Sequence, residues 1–118
     1  MKSCVIHISG EVPSKKNSYR FGSRGIFKPP EVTEFEKMVA DEILAQKARK
    51  YLSGPLYVQI VIKTATAGDL DNKVTTLLDA IQYGVMIKND RDVVRILADK
   101  VRCARSAVGS TVTVSEIV

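Results

Sequence analysis

The sequence is poor in the residues on which several common kinds of active site depend. It contains one histidine, two cysteines and no tryptophan in 118 residues. A histidine-based zinc site or a Ser-His-Asp triad is therefore poorly supplied, because His7 is the only candidate. Cys4 and Cys103 are far apart and form no Cys-x-x-Cys pair, so we interpret them as reduced, structural residues of a cytoplasmic protein.

Long apolar runs are also missing. No stretch approaches the length of a membrane span, and the first residues alternate in polarity instead of forming the apolar core of a signal peptide. Residues 10–16 lack the second glycine of a phosphate-binding P-loop, so we expect no nucleotide cofactor. The sequence thus predicts a cytoplasmic protein with no membrane partner.

What is present is an ordinary globular composition with an excess of basic residues. Apolar residues make up 45% and charged residues 26%, as in a single domain spanning residues 1–118. The net charge is +5, which favours polyanionic partners. Residues 14–29 contain no acid and five basic residues, namely Lys15, Lys16, Arg20, Arg24 and Lys28. This segment is either a DNA-contacting surface or a solvated basic loop.

Hydrophobic periodicity predicts an α+β fold, with a mixed sheet and two helices. Thr33 and Glu36 fit a capping box at the start of the first helix. We expect the last two strands to pair with each other. The predicted order is a strand at 3–9, a hairpin around 22–24, a helix to about 50, a strand at 56–64, a helix at 72–83, and strands at 93–103 and 110–117.

Three aspartates lie where the chain enters or leaves predicted elements. Asp69 and Asp71 are two residues apart, and extended backbone would point both side chains the same way. Asp90 precedes a later strand, so adjacent strands would bring it to the other two. Carboxylate oxygens are the ligands that Mg²⁺ and Mn²⁺ prefer, and such a metal activates water for attack on a phosphoryl group. The alternative for Asp71 is a helix cap.

Several segments, taken in order, resemble the RusA family of Holliday junction resolvases found in phages and prophages. Residues 13–20 are similar to the family's basic N-terminal segment. Residues 69–72 (Asp-Leu-Asp-Asn) and 78–81 (Leu-Asp-Ala-Ile) resemble its signature helix entry. Asn89-Asp90 and the later Lys100 resemble its third acidic position and the lysine of the following strand.

The resemblance implies a magnesium-dependent endodeoxyribonuclease, with Mn²⁺ as a possible substitute, in DNA recombination and repair. Such an enzyme acts as a homodimer on branched DNA and resolves a four-way junction by paired symmetric nicks. Asp69, Asp71 and Asp90 match the catalytic metal-binding aspartates. Lys100 is a further candidate catalytic residue or an exposed strand lysine. We assign DNA binding to Lys15, Lys16, Arg20, Arg24 and Lys73.

One departure from the family pattern leaves a second function open. The family usually has a lysine four residues after the second motif aspartate, and Thr75 occupies that position. Lys73 lies about 200° away around a helix, so it should face elsewhere. The cationic role then passes to Lys100 or to the basic segment, or the protein is a catalytically weakened or inactive junction-binding protein.

Overall fold

A four-stranded sheet covered on one face by two helices forms the body of the structure. The computed structural model describes residues 2–13, 20–22, 25–27 and 30–117, with side chains in 2–13 and 30–117. The α+β class and the order of elements are confirmed. The strands are β1 (Ser3–Ser9), β2 (Arg20–Gly22), β3 (Gly25–Phe27), β4 (Leu56–Thr64), β5 (Val93–Arg102) and β6 (Gly109–Glu116), and the helices are α1 (Pro30–Ala45) and α2 (Leu70–Tyr83).

The sheet has the strand order β1-β6-β4-β5, and β2 and β3 form the separate predicted hairpin. β6 is antiparallel to β1 and β4, whereas β5 is parallel to β4. The expected pairing of the last two strands is therefore wrong. Because α2 carries the chain back along the sheet, it returns β5 beside β4 in the same direction, as in any β-α-β crossover. β6 then fills the space between β4 and β1.

The core lies between the helices and one face of the sheet. Alternate residues of β4 are buried, as the period-two pattern of residues 56–64 predicts. The apolar spacing of α1 predicts a buried stripe of Phe35, Val39 and Ile43, and all three are buried. In α2 the spacing predicts a stripe of Val74, Leu77, Leu78 and Ile81, of which Leu77 and Ile81 are buried and the other two half-buried. None of the helices in the described ranges is long and apolar enough to cross a membrane. Core members include Leu56, Val58, Ile60 and Ile62 from β4, Phe35, Val39 and Ile43 from α1, and Leu77 and Ile81 from α2.

The ends of α1 differ from those predicted. The helix begins at Pro30, a residue suited to the first helical position, so Thr33 lies inside it and the predicted capping box is wrong. It ends at Ala45 instead of continuing to Lys50. Lys47 has a positive φ of 57°, and the Ala48 N–H donates to the carbonyl of Ile43, which closes the helix.

The two edges of the sheet differ in how they are covered. At β1, the Gln46 side chain accepts from the N–H of His7 (2.9 Å) and donates to its carbonyl (2.7 Å). Glu42 accepts from the N–H of Ser9 (3.1 Å). At the other edge, no described strand lies beyond β5, and Val94 and Leu97 are 65% and 54% exposed. β5 is therefore an open edge with apolar side chains.

Candidate metal and DNA-binding site

The turn from β4 into α2, residues 65–69, presents the acidic motif. Asp69 occupies the N-cap position of α2 in extended backbone, but its side chain makes no capping hydrogen bond. Its carboxylate instead accepts from the Asn72 amide at 3.4 Å. Asp71 lies in the first turn, so the N-cap position belongs to Asp69 and not to Asp71. Both aspartates are exposed, at a helix end that favours negative charge.

Asp90 lies at the opposite end of the same layer. Its N–H donates to the Gln82 side chain at 2.6 Å, in the last turn of α2. Gln82 is eleven residues after Asp71, or about 16 Å along a helix. Asp90 also precedes β5, whereas Asp69 follows β4. Because these strands are parallel, the start of one and the end of the other lie at opposite ends of the sheet.

The structure therefore does not bring the three aspartates together within one chain. In the part of the chain that is described, no group of three or more Asp, Glu, His or Cys side chains is placed to hold a metal ion. Asp69 and Asp71, which are exposed, lie at the start of α2, and the half-buried Asp90 lies near its end. Their assignment as metal ligands stays a prediction, and it needs an arrangement that a single chain does not supply.

Lys100 reaches the acidic turn from β5. It is paired with Ile62 near the end of β4, and its Nζ donates to the carbonyl of Gly68 at 2.7 Å. The side chain is exposed, so it places a positive charge at the residue before Asp69. This contact gives Lys100 a role in holding the turn, whether or not it also contacts phosphate.

Lys73 does not lie where a DNA-contacting lysine would be. Its side chain is 3% exposed, and its Nζ donates to the carbonyl of Val12 at 2.7 Å. Burial lowers the pKa of Lys73, the nearby charge of Glu11 raises it, and Lys100 lowers it further. Burial therefore disfavours the assignment of Lys73 to DNA binding, because α2 turns this residue toward the protein interior beside Leu77.

Glu11 is a site residue that the sequence analysis missed. Its carboxylate accepts from the Thr64 hydroxyl at 2.7 Å and from the Ala65 N–H at 2.6 Å. Burial would raise the pKa of Glu11, but the hydrogen bonds from Ala65 and Thr64, the charge of Lys73 and a bond from Thr66 lower it overall. No motif marks Glu11 in the sequence.

Comparison of the sequence with known protein families identifies the family of this chain. A family model described as "Endodeoxyribonuclease RusA" matches residues 10–114. The chain belongs to the RusA family. It is therefore an endodeoxyribonuclease, a hydrolase of phosphodiester bonds, from a family of Holliday junction nucleases that are generally dependent on a divalent metal. No curated protein matches the chain.

The match includes the basic segment assigned to DNA in this RusA-family chain. Lys15, Lys16 and Arg24 lie outside the described residues. The backbone of Arg20 begins β2, while its side chain also lies outside them. DNA binding by these four residues stays a prediction.

The position of the usual RusA-family lysine is occupied by an uncharged residue on the exposed side of α2. Thr75 is exposed, and its hydroxyl donates to the carbonyl of Asp71 at 3.0 Å. It therefore lies one helical turn beyond Asp71 on the same face. Since Lys73 is buried, Lys100 is the described lysine whose ammonium group reaches the acidic turn from the exposed side.

Proposed function

We propose that this chain is a single-domain, magnesium-dependent nuclease that resolves four-way DNA junctions by paired nicks in recombination and repair. The observation that carries the proposal is the exposed Asp69 and Asp71 pair at the start of α2, in a chain that matches the RusA family over residues 10–114. Mn²⁺ is expected to replace Mg²⁺, because both prefer oxygen ligands. Unpaired Cys4 and Cys103 fit a reducing cytoplasm.

The chemistry of these donors fits a hard divalent cation, though one chain offers only part of a site. Asp69 and Asp71 would supply carboxylate oxygens, and Asp90 a third carboxylate from elsewhere. When bound, such a metal activates water and neutralises charge on the attacked phosphate. Lys100 places a positive charge beside Gly68, where it would attract the DNA backbone toward the two aspartates.

A second copy of the chain can supply the missing carboxylate. β5 is an open edge ten residues long, and it carries Val94, Ile96, Leu97 and Val101 exposed. Long, apolar edge strands of this kind are suited to pairing with another strand. We therefore place the proposed homodimer interface along β5.

Antiparallel pairing of two β5 strands about a two-fold axis would complete the donor set. In such a pair, the start of one strand lies beside the end of the other. The partner subunit's Asp90, which precedes its β5, would then approach Lys100 and the turn that carries Asp69. Each dimer would hold two equivalent sites, which suits paired nicks in a symmetric junction.

The first experiment is cleavage of a synthetic four-way junction with Mg²⁺, with Mn²⁺ and with a chelator. Wild type should nick the junction only when metal is present. Asp71→Asn should abolish nicking but still bind the junction, whereas Asp41→Asn, at an exposed acid of α1, should behave as wild type. Wild-type protein that binds the junction but never cuts it with either metal would refute the proposed function.

Mixing two inactive variants tests whether each site is shared between subunits. Asp71→Asn and Asp90→Asn put their defects on opposite sides of the proposed interface. A mixed dimer would keep one intact site and nick one strand, and random exchange makes about half of the dimers mixed. Asp69→Asn mixed with Asp71→Asn should stay inactive. If mixing Asp71→Asn with Asp90→Asn restores no nicking, the proposal that two subunits share each site is wrong.

The position of the interface has its own test. Leu97→Lys puts a charge in the exposed apolar part of β5 and should shift the protein toward monomers in sedimentation. Val5→Lys makes a comparable change at an exposed side chain of β1 and should leave the dimer intact. Equal behaviour of the two variants would place the interface elsewhere.

Junction binding with weakened cleavage is the second candidate function. Thr75 favours it, because this residue adds no charge where the family usually has a lysine. The two candidates differ in the wild-type rate of nicking, which the cleavage experiment measures directly.

A further inference from the structure

The acidic turn is tied to the segment that follows β1 by two contacts, one part-buried and one buried. On one side, the Glu11 carboxylate accepts from the Thr64 hydroxyl and the Ala65 N–H, where β4 ends. On the other, the carbonyl of Val12 accepts from Nζ of Lys73 in α2. Two adjacent residues, Glu11 and Val12, therefore contact the chain on both sides of the turn, where β4 ends and in the first part of α2.

The middle of the turn is held as well. The side chain of Lys73 lies against Gly68, where an added Cβ would be 3.0 Å from its Cε and 3.5 Å from its Nζ. Nζ of Lys100 donates to the carbonyl of Gly68 at 2.7 Å. The residue immediately before Asp69 thus contacts two lysine side chains, one buried and one exposed.

We propose that Glu11 and Lys73 are positioning residues that fix the direction in which the turn presents Asp69 and Asp71. They also couple this turn to the start of the basic segment, since residues 14–29 follow Glu11 by only three residues. The effect on cleavage rests on the proposed function, whereas the effect on the geometry of the turn does not. Neither residue is proposed to touch DNA.

Charge and burial explain why these two residue types occupy the positions. A buried ammonium group is costly unless it is hydrogen-bonded and faces an opposite charge, and Lys73 has the carbonyl of Val12 and the charge of Glu11. A smaller apolar residue at position 73 would leave that carbonyl without this donor and Gly68 without its packing contact. The pair therefore specifies one arrangement of the turn.

Lys73→Met and Glu11→Gln test the proposal, because each keeps the approximate size of the side chain and removes its charge. The matched control is Lys37→Met, which removes one exposed lysine from α1. For each variant we would measure the folded fraction, junction affinity without metal, cleavage against Mg²⁺ concentration, and the amide NMR resonances of residues 65–72. The double variant shows whether the two residues act as a unit.

We expect Lys73→Met and Glu11→Gln each to lower kcat per folded molecule roughly ten- to hundredfold and to raise the Mg²⁺ concentration needed, since misplacement by about 1 Å costs that much. Junction affinity should change no more than in Lys37→Met, and the double variant should be no worse than the poorer single variant. The amide resonances of residues 69–72 should move in both variants.

Two outcomes would overturn the proposal. One is a loss of cleavage that disappears when activity is corrected for the folded fraction, with an unchanged Mg²⁺ requirement, because a purely structural role predicts that result. The other is unmoved amide resonances at residues 69–72. If wild type fails to cut DNA, the proposed nuclease function fails, and the resonances still decide whether Glu11 and Lys73 position the turn.

Discussion

Replacing Gly68 by alanine tests how tightly the acidic turn is built. Gly68 has φ +154°, a conformation that residues with a side chain rarely adopt, and forcing it costs about 1–3 kcal/mol. The new Cβ would also lie 3.0 Å from Cε of Lys73. The Lys73 side chain would have to shift by a few tenths of an ångström, which disturbs its 2.7 Å hydrogen bond to the carbonyl of Val12.

The expected magnitude follows from the size of the chain. An unfolding entropy of about 2.1 cal/mol/K per residue gives roughly 0.25 kcal/mol/K for 118 residues. A loss of about 2 kcal/mol therefore lowers Tm by about 8 °C. Thermal unfolding followed by circular dichroism measures this shift, and the cleavage assay at a temperature where the variant is folded measures any displacement of Asp69.

Two further variants separate the cost of the backbone conformation at Gly68 from the cost of the contact with Lys73. Gly54 has φ +77° and nothing within 4 Å of an added Cβ, so Gly54→Ala reports the cost of positive φ in open space. In a Lys73→Ala background the side-chain contact is absent, and Gly68→Ala should then cost less than it does in wild type. Two results would refute this account of the turn. One is a Gly68→Ala protein with the same Tm as wild type, and the other is a Gly68→Ala change that lowers Tm equally in wild type and in the Lys73→Ala background.

Three other predictions concern single residues. Burial alone would raise the pKa of Glu11, but its hydrogen bonds and Lys73 lower it, so ionised Glu11 stabilises the fold above the ordinary pKa of about 4.3. The advantage of wild type over Glu11→Gln in unfolding free energy should therefore be largest near neutral pH and vanish as the pH falls through the lowered pKa. A pH-independent difference would contradict this. Gly84→Ala puts a Cβ 2.5 Å from Cδ1 of Ile43 and should cost about 1–3 kcal/mol by overpacking α1 against α2, measured by denaturant unfolding; an unchanged midpoint would contradict the packing. Thr75→Lys adds a cation one turn from Asp71 and should speed metal-dependent nicking, and an unchanged rate would show that Lys100 or the basic segment suffices.

The sequence predicted those parts of the fold that depend on local periodicity. The alternation in residues 56–62 identified the buried face of β4. The predicted stripe of α2 was half right, because Leu77 and Ile81 are buried whereas Val74 and Leu78 are half-buried. The direction of β5 was not predictable in the same way, because an alternating pattern shows which face is buried but not which neighbour the strand pairs with. The strands next to Asp69 and Asp90 are neighbours, as expected, but because they are parallel the two aspartates lie at opposite ends of the sheet.

The candidate site was predicted in part. The exposure of Asp69 and Asp71 at the start of α2 agrees with their proposed role, although their metal binding is untested. The spacing of the sequence indicates that Lys73 is buried, since it lies four residues before Leu77 on the same face of α2. Lysine is so seldom buried, however, that we predicted an exposed, DNA-binding residue at this position. Glu11 had no local signal, because its partners, Thr64 and Ala65, come from a distant part of the sequence.

The unequal edges of the sheet limit how many copies can join. Gln46 and Glu42 occupy backbone groups of β1 that an incoming strand would need, while β5 leaves its own groups accessible. If two β5 strands pair as proposed, the four-stranded sheet of each copy then offers only its blocked edge at β1. Growth by strand addition would stop at two, and the same exposed apolar strand that suits dimer formation would not start a fibre.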